Sequence, residues 1–242
     1  MANFPLGYPE PVDYRIHSEL FSPQNHWEGA DFTDSVGGAG YLLENKAGGI
    51  THARGIDGKM CFSVGGTASL GLAIANDGDF QNAAMTVSFW MNNLWTNTQT
   101  LFEVDSTGAV DANDNQTVKI FRGSNSDDYI MATRFDKGDQ VLVQENTILG
   151  CANPAMGWQH FIYSRSATGT IRGFAQGEDI FGGDVNEDTP VPGSNGVLRI
   201  LGNVADGELF HGCMQSVMYW NKELTRGQCE AVIRSVGVEV AA

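Results

Sequence analysis

The stretch MTVSFWMN, residues 85–92, decides the fold of this chain. Its side chains alternate between two faces of an extended backbone, with Met85, Val87, Phe89 and Met91 on one face and Thr86, Ser88, Trp90 and Asn92 on the other. A period of two residues indicates a β-strand with one packed face and one face that is wetter or covered by another element.

Short runs of the same kind recur along the chain, separated by clusters of glycine, asparagine and aspartate. Many short strands with frequent turns are typical of a sandwich or jelly roll, so we predict an all-β fold, an antiparallel jelly-roll β-sandwich. The predicted strands are 59–64, 69–74, 85–92, 100–104, 117–121, 129–135, 140–146, 158–165, 170–176, 197–202 and 210–220.

One short helix is predicted near the C-terminal end. Thr225 and Gln228 have the spacing of a capping box, in which the first residue caps the helix and the fourth caps it in return. An apolar stripe follows at helical spacing and ends before Gly237; it consists of Cys229, Val232, Ile233 and Val236.

Residues 1–25 differ from the rest, which gives two predicted units: an extended N-terminal arm over 1–25 and one jelly-roll domain over 26–242. Four of the seven prolines lie in the arm, and proline favours extended backbone. Aromatic side chains are interleaved with them, so we expect the arm to pack on its own domain or on a neighbouring molecule. The predicted assembly residues are Phe4, Tyr8, Tyr14 and Phe21.

The charge of the chain excludes some classes of partner. Lysine and arginine number 14 against 29 aspartate and glutamate residues, a net charge of −15. Nucleic acids and anionic membranes attract clustered basic side chains, so neither is predicted as a partner. No apolar run approaches the ~20 residues that cross a bilayer, and the N-terminus does not have the pattern of a secretory signal.

Several motifs, taken in order, resemble the laminin-G-like (concanavalin A-like) jelly-roll family. The Thr-Val-Ser-Phe-Trp core is one, and the others lie at Trp27–Leu43 (with Asp34, Ser35 and Gly37 as Asp-Ser-x-Gly), Thr100–Phe102, Gly157–His160, Thr170–Ile180, Leu198–Gly202 and Phe210–Trp220. The resemblance implies the jelly-roll fold with a short closing helix, and core positions for Trp90, Trp158 and Trp220. Most members of the family bind ligands and catalyse nothing. The aspartate usual in one motif is absent here, where Ala175-Gln-Gly177 stands.

Glu103 and Asp105 are the residues to weigh for catalysis, because some jelly-roll glycoside hydrolases carry Glu-x-Asp-x-x-Glu on one strand. The third acidic position is Gly108 in this chain. A retaining mechanism needs two carboxyl groups about 5 Å apart. We therefore predict no catalytic residue and no enzymatic activity.

Ligand-binding candidates lie just after the Ser-Phe-Trp strand. Trp95 has no counterpart among the family motifs and is surrounded by polar residues, including Asn93 and Asn97. An indole beside amide groups suits stacking on a sugar ring or anchoring an interface. Simple packing at the edge of the domain is equally compatible with the sequence.

No cofactor is predicted, although one loop has oxygen ligands suited to Ca²⁺. Asp111, Asn113 and Asn115 are spaced as in the start of a calcium loop, but the glycine and glutamate of an EF-hand are missing. Solvated turn residues are the competing interpretation. The five histidines lack metal-ligand spacing; His160 and His211 are expected to be strand residues with backbone partners.

The four cysteines, Cys61, Cys151, Cys213 and Cys229, are too few for a disulfide scaffold. Cys61 and Cys213 alternate with apolar strand positions. Burial as reduced thiols is the predicted state for that pair.

Three functions from different classes remain open. The first is a structural virion protein, a capsid-decorating or tail-associated protein of a bacteriophage. It would be made in the host cytoplasm and attached through the arm to its own copies or to the major capsid protein. The second is a carbohydrate-binding adhesin module at the cell surface or outside the cell, either with or without the assistance of Ca²⁺. The third, a glycan-cleaving enzyme, is disfavoured by the missing glutamate.

Overall fold

The computed structural model describes the chain from residue 23 to residue 238 with gaps. The described residues are 23, 25–31, 43–45, 49–65, 70–72, 84–93, 99–106, 117–122, 128–131, 136–137, 140–141, 146–149, 157–179, 185–186, 196–203 and 208–238.

Strands dominate the described residues, with one α-helix and one 3-10 turn, Ile56–Gly58. In chain order the strands are β1 Asn25–Trp27, β2 Leu43–Asn45, β3 Ile50–Arg54, β4 Met60–Gly65, β5 Leu70–Leu72, β6 Met85–Asn93, β7 Gln99–Ser106, β8 Thr117–Arg122, β9 Asp128–Met131, β10 Asp136–Lys137, β11 Gln140–Val141, β12 Asn146–Leu149, β13 Gln159–Arg165, β14 Thr170–Ala175, β15 Glu178–Asp179, β16 Val185–Asn186, β17 Gly196–Ile200, β18 Gly202–Asn203, β19 Glu208–Leu209 and β20 His211–Trp220. The helix, α1, is Arg226–Ser235.

Two sheets carry the architecture. The larger sheet has the order β15-β14-β13-β6-β20-β4-β3, with β1 beside β20 and β16 beside β14. The smaller sheet has the order β2-β5-β17-β7-β8. Every pairing in both sheets is antiparallel. The predicted antiparallel jelly-roll sandwich is therefore confirmed.

The inner face of the larger sheet forms the core between the two sheets. Met85, Val87, Phe89 and Met91 of β6 are at most 1% exposed. The Phe89 ring stacks on Phe161 of β13 at 5.8 Å between centroids. Phe102 of the smaller sheet stacks on Tyr219 of β20 at 6.4 Å, so the two sheets meet through aromatic rings.

The outer face of the larger sheet is covered at one end by α1. The capping box at Thr225 and Gln228 is formed, as predicted. The buried stripe of α1 packs on apolar side chains of β13, β14 and β20, in a cluster of Ile162, Phe174, Met218, Trp220, Leu224, Cys229, Val232 and Ile233. The outer face is thus a second core at this end, made by the helix.

Buried hydroxyl groups tie the segment before α1 to the sheet. Leu224 N donates to Thr86 Oγ1 and to Ser164 Oγ, each at 3.0 Å. Thr86 Oγ1 donates to the carbonyl oxygen of Lys222, and Ser164 Oγ donates to that of Leu224, each at 2.9 Å. Both hydroxyl residues are 0% exposed, so these bonds satisfy groups that burial would otherwise leave unpaired.

Charged side chains add contacts at the same end. Arg226 Nη1 lies 2.6 Å from Asp179 Oδ2, and its guanidinium lies over the Phe174 ring, 5.4 Å from the centroid. Arg172 forms an ion pair with Glu223. The first turn of α1 is therefore held by β14 and β15 as well as by its apolar stripe.

A β-bulge in β20 lets two short strands share one edge. Before the bulge β20 pairs with β4, through Met214 and Phe62. After it β20 pairs with β1, through Val217 and Trp27. Ser216, at φ +53 in the bulge, hydrogen-bonds through Oγ with His26 Nε2 at 2.8 Å. The bulge thereby anchors β1 on β20, along the edge that β4 occupies before the bulge.

The strand predictions agree with the structure in most places. The central strands β6, β13, β14 and β20 lie where the sequence predicts them, within two residues at each end. Seven of the described strands were not predicted. Six of them have only two or three residues: β1, β2, β10, β15, β16 and β19. The seventh, β3, is an edge strand whose burial pattern does not alternate. The predicted strand 140–146 corresponds to β11 and β12, and residues 142–145 between them lie outside the described residues.

The predictions for the core tryptophans and for the thiols are confirmed only in part. Trp90 and Trp220 are buried, at 8% and 2% exposure, as predicted. Trp158 is only partly buried, so its assignment to the core was wrong. Cys61 is a buried free thiol, whereas Cys213 is free and partly exposed.

Gly29 provides a test of the close approach between the chain after β1 and the backbone of β4. Its φ is +96, and a Cβ there would lie 2.9 Å from Cys61 Cα and 3.1 Å from Met60 O. We expect Gly29→Ala to lower the free energy of unfolding by about 3 kcal/mol or more, measured by urea denaturation. In Gly58→Ala, at φ +71 with open space around it, only the backbone strain applies, about 1 kcal/mol. Equal losses in the two variants would contradict the close approach.

Candidate functional site

The end of the larger sheet away from α1 carries polar side chains on its outer face. Thr51 pairs with Ser63, Ser63 with Cys213, and Cys213 with Asn92. Direct cross-strand partners point to the same side of a sheet, and Asn92 belongs to the outer face of β6 by alternation. We call these four residues and Trp158 the polar row.

Trp158 extends this row by one strand. It directly precedes β13, one position before Gln159, which pairs with Met91. Trp158 therefore lies beside Asn92. Thr51 is exposed, and the other four residues of the polar row are partly exposed, so the row faces solvent.

Next to the polar row, on the same outer face, lies a second row of three buried side chains: an imidazole, an indole and an amide. His160 pairs with Trp90, and Trp90 pairs with Gln215. Their exposed fractions are 1%, 8% and 3%. Gln215 Oε1 accepts a hydrogen bond from Ile56 N at 3.0 Å, which holds the turn after β3 against this row.

His160 is the most constrained titratable group of the site. Its ring tilts against Trp90, with centroids 5.2 Å apart, and its Nε2 hydrogen-bonds with Ser88 Oγ at 2.8 Å. The prediction of a backbone partner for this side chain was wrong. Desolvation by burial lowers the pKa of His160 to about 3, so the ring is neutral at physiological pH.

Asn92 Oδ1 and His160 Nδ1, which both lie at this end, are buried and have no hydrogen-bond partner among the described residues. The two residues are diagonal neighbours across β6 and β13, since His160 pairs with Trp90 and Asn92 follows two residues later. Such groups are uncommon in folded proteins, because each loses its bonds to water. This end of the sheet therefore has unused hydrogen-bonding capacity.

Cys213 of the polar row and Cys61 lie on the adjacent strands β20 and β4. Hydrogen bonding from the Cys61 thiol, with a smaller contribution from Ser63, lowers the pKa of Cys213 to about 6, against the opposing effect of burial. The same hydrogen bond, together with burial, raises the pKa of Cys61. The more exposed sulfur is thus the one that ionises first.

The segment with the predicted ligand-binding residues starts and ends at this end of the sheet. Asn93, the last residue of β6, pairs with Gly212 at the start of β20. Gln99, the first residue of β7, accepts at Oε1 a hydrogen bond from His211 N at 2.9 Å. Asn93 and Gln99, the described residues that flank segment 94–98, thus both lie beside the start of β20. Trp95 and Asn97 lie outside the described residues; of Asn93 the backbone is described.

The remaining predicted sites are not described. The arm residues Phe4, Tyr8, Tyr14 and Phe21 lie outside the described residues, as do the calcium candidates Asp111, Asn113 and Asn115 and the fourth cysteine, Cys151. These predictions, and the domain boundary at 25/26, stay predictions. In the part of the chain that is described, no three His, Cys, Asp or Glu side chains group as a metal site, and no helix is long and apolar enough to span a membrane.

Sequence reasoning missed most of the polar row. Asn92 was assigned to the wetter face of its strand, which is correct, but not to a site. Nothing along the chain connects it with Cys213 or Ser63, because their proximity depends on the register of three strands. The sequence signal that could have found Asn92 is its place directly before Asn93 at the end of the best-predicted strand.

A family model described as the concanavalin A-like lectin/glucanases superfamily matches residues 65–229, more than half of the chain. The chain belongs to this superfamily. The match starts within β4 and ends in α1, so it includes β6, β13 and β20. The family resemblance inferred from the sequence motifs is confirmed at this level.

Solved structures share the fold of this superfamily member at low sequence identity. Domain 4 of AbnA, a GH43 extracellular arabinanase from Geobacillus stearothermophilus in complex with arabinotriose, is 18% identical with a TM-score of 0.58, over 87% of this chain and 98% of that one. The CBM40 of the Ruminococcus gnavus IT-sialidase, bound to α2,3-sialyllactose, is 11% identical with a TM-score of 0.54, over 79% and 97%. The binding domain of Paraclostridial Mosquitocidal Protein 1 is 13% identical with a TM-score of 0.59, over 87% and 51%. No curated protein sequence matches the chain significantly.

The buried neutral state of His160 predicts a pH dependence of stability. The folded ring stays neutral down to about pH 3, whereas an unfolded histidine binds a proton below about pH 6.5. The unfolded state then binds more protons, so stability falls as the pH drops from about 6.5 toward 3, by up to about 1.4 kcal/mol per pH unit. The check is urea denaturation of the native protein and His160→Gln between pH 7 and 4.

Comparison of the two proteins removes the contribution of the carboxyl groups common to both. The native protein should lose stability relative to His160→Gln as the pH falls. Ser88→Ala is the matched control, because it removes the hydrogen bond but keeps the buried ring, so it should retain the pH dependence. A native-minus-His160→Gln difference that is flat over this range would contradict the assignment.

Proposed function

We propose that this chain is a non-enzymatic glycan-binding module, and that residues 1–25 attach it to a larger assembly. The observation that carries the proposal is the position of Asn93 and Gln99, the described residues on either side of segment 94–98. Both lie at the polar end of the larger sheet, where Asn92 and Trp158 are partly exposed. Indole and amide groups together suit the apolar faces and hydroxyl groups of sugars.

The opposite end of the same sheet is where residues 1–25 join the domain. Asn25 pairs with Tyr219, which pairs with Val87, close to the buried contacts of α1. Asn93 is six residues further along β6 than Val87, a separation of about 20 Å at ~3.3 Å per residue. Our proposal thereby assigns attachment and ligand binding to opposite ends of the sheet.

Two comparisons support a binding role. The domain of the arabinanase and the CBM40 of the sialidase are structures with a bound oligosaccharide, and each has nearly its whole length covered by this chain.

Catalysis is not proposed, because the second glutamate expected after Glu103 and Asp105 is Gly108. In β7 these two residues pair with Arg199 and Val197 of β17, as ordinary members of the smaller sheet.

For the assembly, our proposal is the surface of a bacteriophage virion, with the chain as a capsid-decorating or tail-associated protein. The proline and aromatic content of residues 1–25 supports attachment to a protein partner, either other copies of this chain or the major capsid protein. The net charge of −15 supports a solvent-facing outer surface. Display at a cell surface or outside the cell is the alternative for the same module.

The glycan-binding proposal is tested by screening the native protein on a glycan array and titrating the best ligand. Trp95→Ala should weaken binding about tenfold or more, as expected for the loss of one aromatic contact, whereas Trp95→Phe should retain part of it. Addition of EDTA tests the candidate calcium ligands Asp111, Asn113 and Asn115, and weaker binding in EDTA would support them. Absence of binding to every glycan, or shortening of the bound oligosaccharide in mass spectra, would refute a non-enzymatic lectin-like role.

The attachment proposal is tested by deleting residues 1–22, which leaves β1 in place. We expect the truncated protein to keep the glycan affinity and melting temperature of the native chain. We expect light scattering and negative-stain images to show a higher-order assembly of the native chain, and the truncated protein should lose it. A native chain that is monomeric, or a truncated one that assembles equally well, would contradict a role of the arm in attachment.

A further inference from the structure

The polar row has a chemical composition that selects among glycans. Its five residues, Thr51, Ser63, Cys213, Asn92 and Trp158, supply hydroxyl, thiol, amide and indole groups. None is a lysine, an arginine or a carboxylate. The row therefore offers hydrogen bonds and an aromatic surface but no basic side chain to pair with an acidic sugar.

The dimensions of the row suit an extended ligand. Thr51, Ser63, Cys213 and Asn92 lie on four successive strands, β3, β4, β20 and β6. At ~4.8 Å between strands this is about 14 Å, and Trp158 adds one strand more. A single ring cannot contact the whole row, whereas a short linear oligosaccharide that crosses the strands can.

Asn92 provides the second observation that points to a ligand. Its Oδ1 has no hydrogen-bond partner among the described residues, although the side chain is partly exposed. Rotation about the Cβ–Cγ bond exchanges Oδ1 and Nδ2, so the amide can present either atom to a hydroxyl group. In the neighbouring row, Trp90 and His160 are buried and support the polar row from one side.

We propose that the polar row binds an uncharged linear oligosaccharide of several sugar units, with Trp158 against a ring face and the Asn92 amide hydrogen-bonded to a sugar hydroxyl. This inference rests on the proposed glycan-binding function and specifies its ligand class and its surface. The net charge of −15 acts in the same direction, because it repels anionic glycans.

The test uses the full chain and isothermal titration with neutral linear trisaccharides, arabinotriose among them, and with α2,3-sialyllactose as the acidic probe. We expect binding of at least one neutral trisaccharide, and binding of sialyllactose at least tenfold weaker. Asn92→Ala should weaken the neutral ligand about tenfold without lowering the melting temperature, since the buried Oδ1 has no hydrogen bond to lose. A melting temperature that is kept or raised separates a ligand-binding residue from a structural one.

Trp158→Ala should weaken the neutral ligand by tenfold or more, and Trp158→Phe should restore part of the affinity. Met60→Ala is the control for lost apolar surface, because Met60 is 38% exposed and is not part of the row; it should bind as the native chain does.

Neutral-glycan binding that survives both Asn92→Ala and Trp158→Ala would overturn the polar row as the site but leave the lectin-like role intact. Preference for sialyllactose would overturn the ligand class. A native chain that binds no glycan would overturn the proposed function together with this inference.

Discussion

The central constraint on this fold is that β6 is buried on both faces and paired on both edges. β13 lies along one edge and β20 along the other, and residues 85–91 are all at most 8% exposed. Burial of a strand on both sides usually demands apolar side chains throughout. β6 instead has hydroxyl groups at Thr86 and Ser88, so each needs a partner inside the protein.

The partners of these hydroxyl groups explain why the rest of the outer face is arranged as it is. Thr86 bonds to the segment that leads into α1, at Lys222 and Leu224. This places the helix over one end of the sheet. Ser88 bonds to His160, whose ring packs on Trp90. The hydroxyl groups of β6 thus help to position α1 over one end of the outer face, and they fix His160 next to the polar row.

The sequence predicts the elements of this fold better than their contacts. Alternation in residues 85–92 and the capping box at Thr225 are local patterns, and both are confirmed. The partner of His160 is not local: Ser88 is 72 residues away along the chain, and their contact depends on the register of β6 with β13. Trp158 has the motif of a core residue, yet it directly precedes β13, at the end of the sheet, where it is covered from fewer sides.

The polar end is best explained by comparing it with what stability alone would favour. Apolar residues in place of Asn92 and Cys213 would add apolar surface next to the buried Trp90 and Gln215. Instead, Asn92 keeps an amide oxygen without a partner, which costs about 1–3 kcal/mol for a buried acceptor. A cost of this size at an acceptor without a partner is explained if a ligand supplies the missing hydrogen bond. The same argument does not apply to Thr86 or Ser164, whose bonds are complete, so those two polar side chains are explained by the structure of the protein alone.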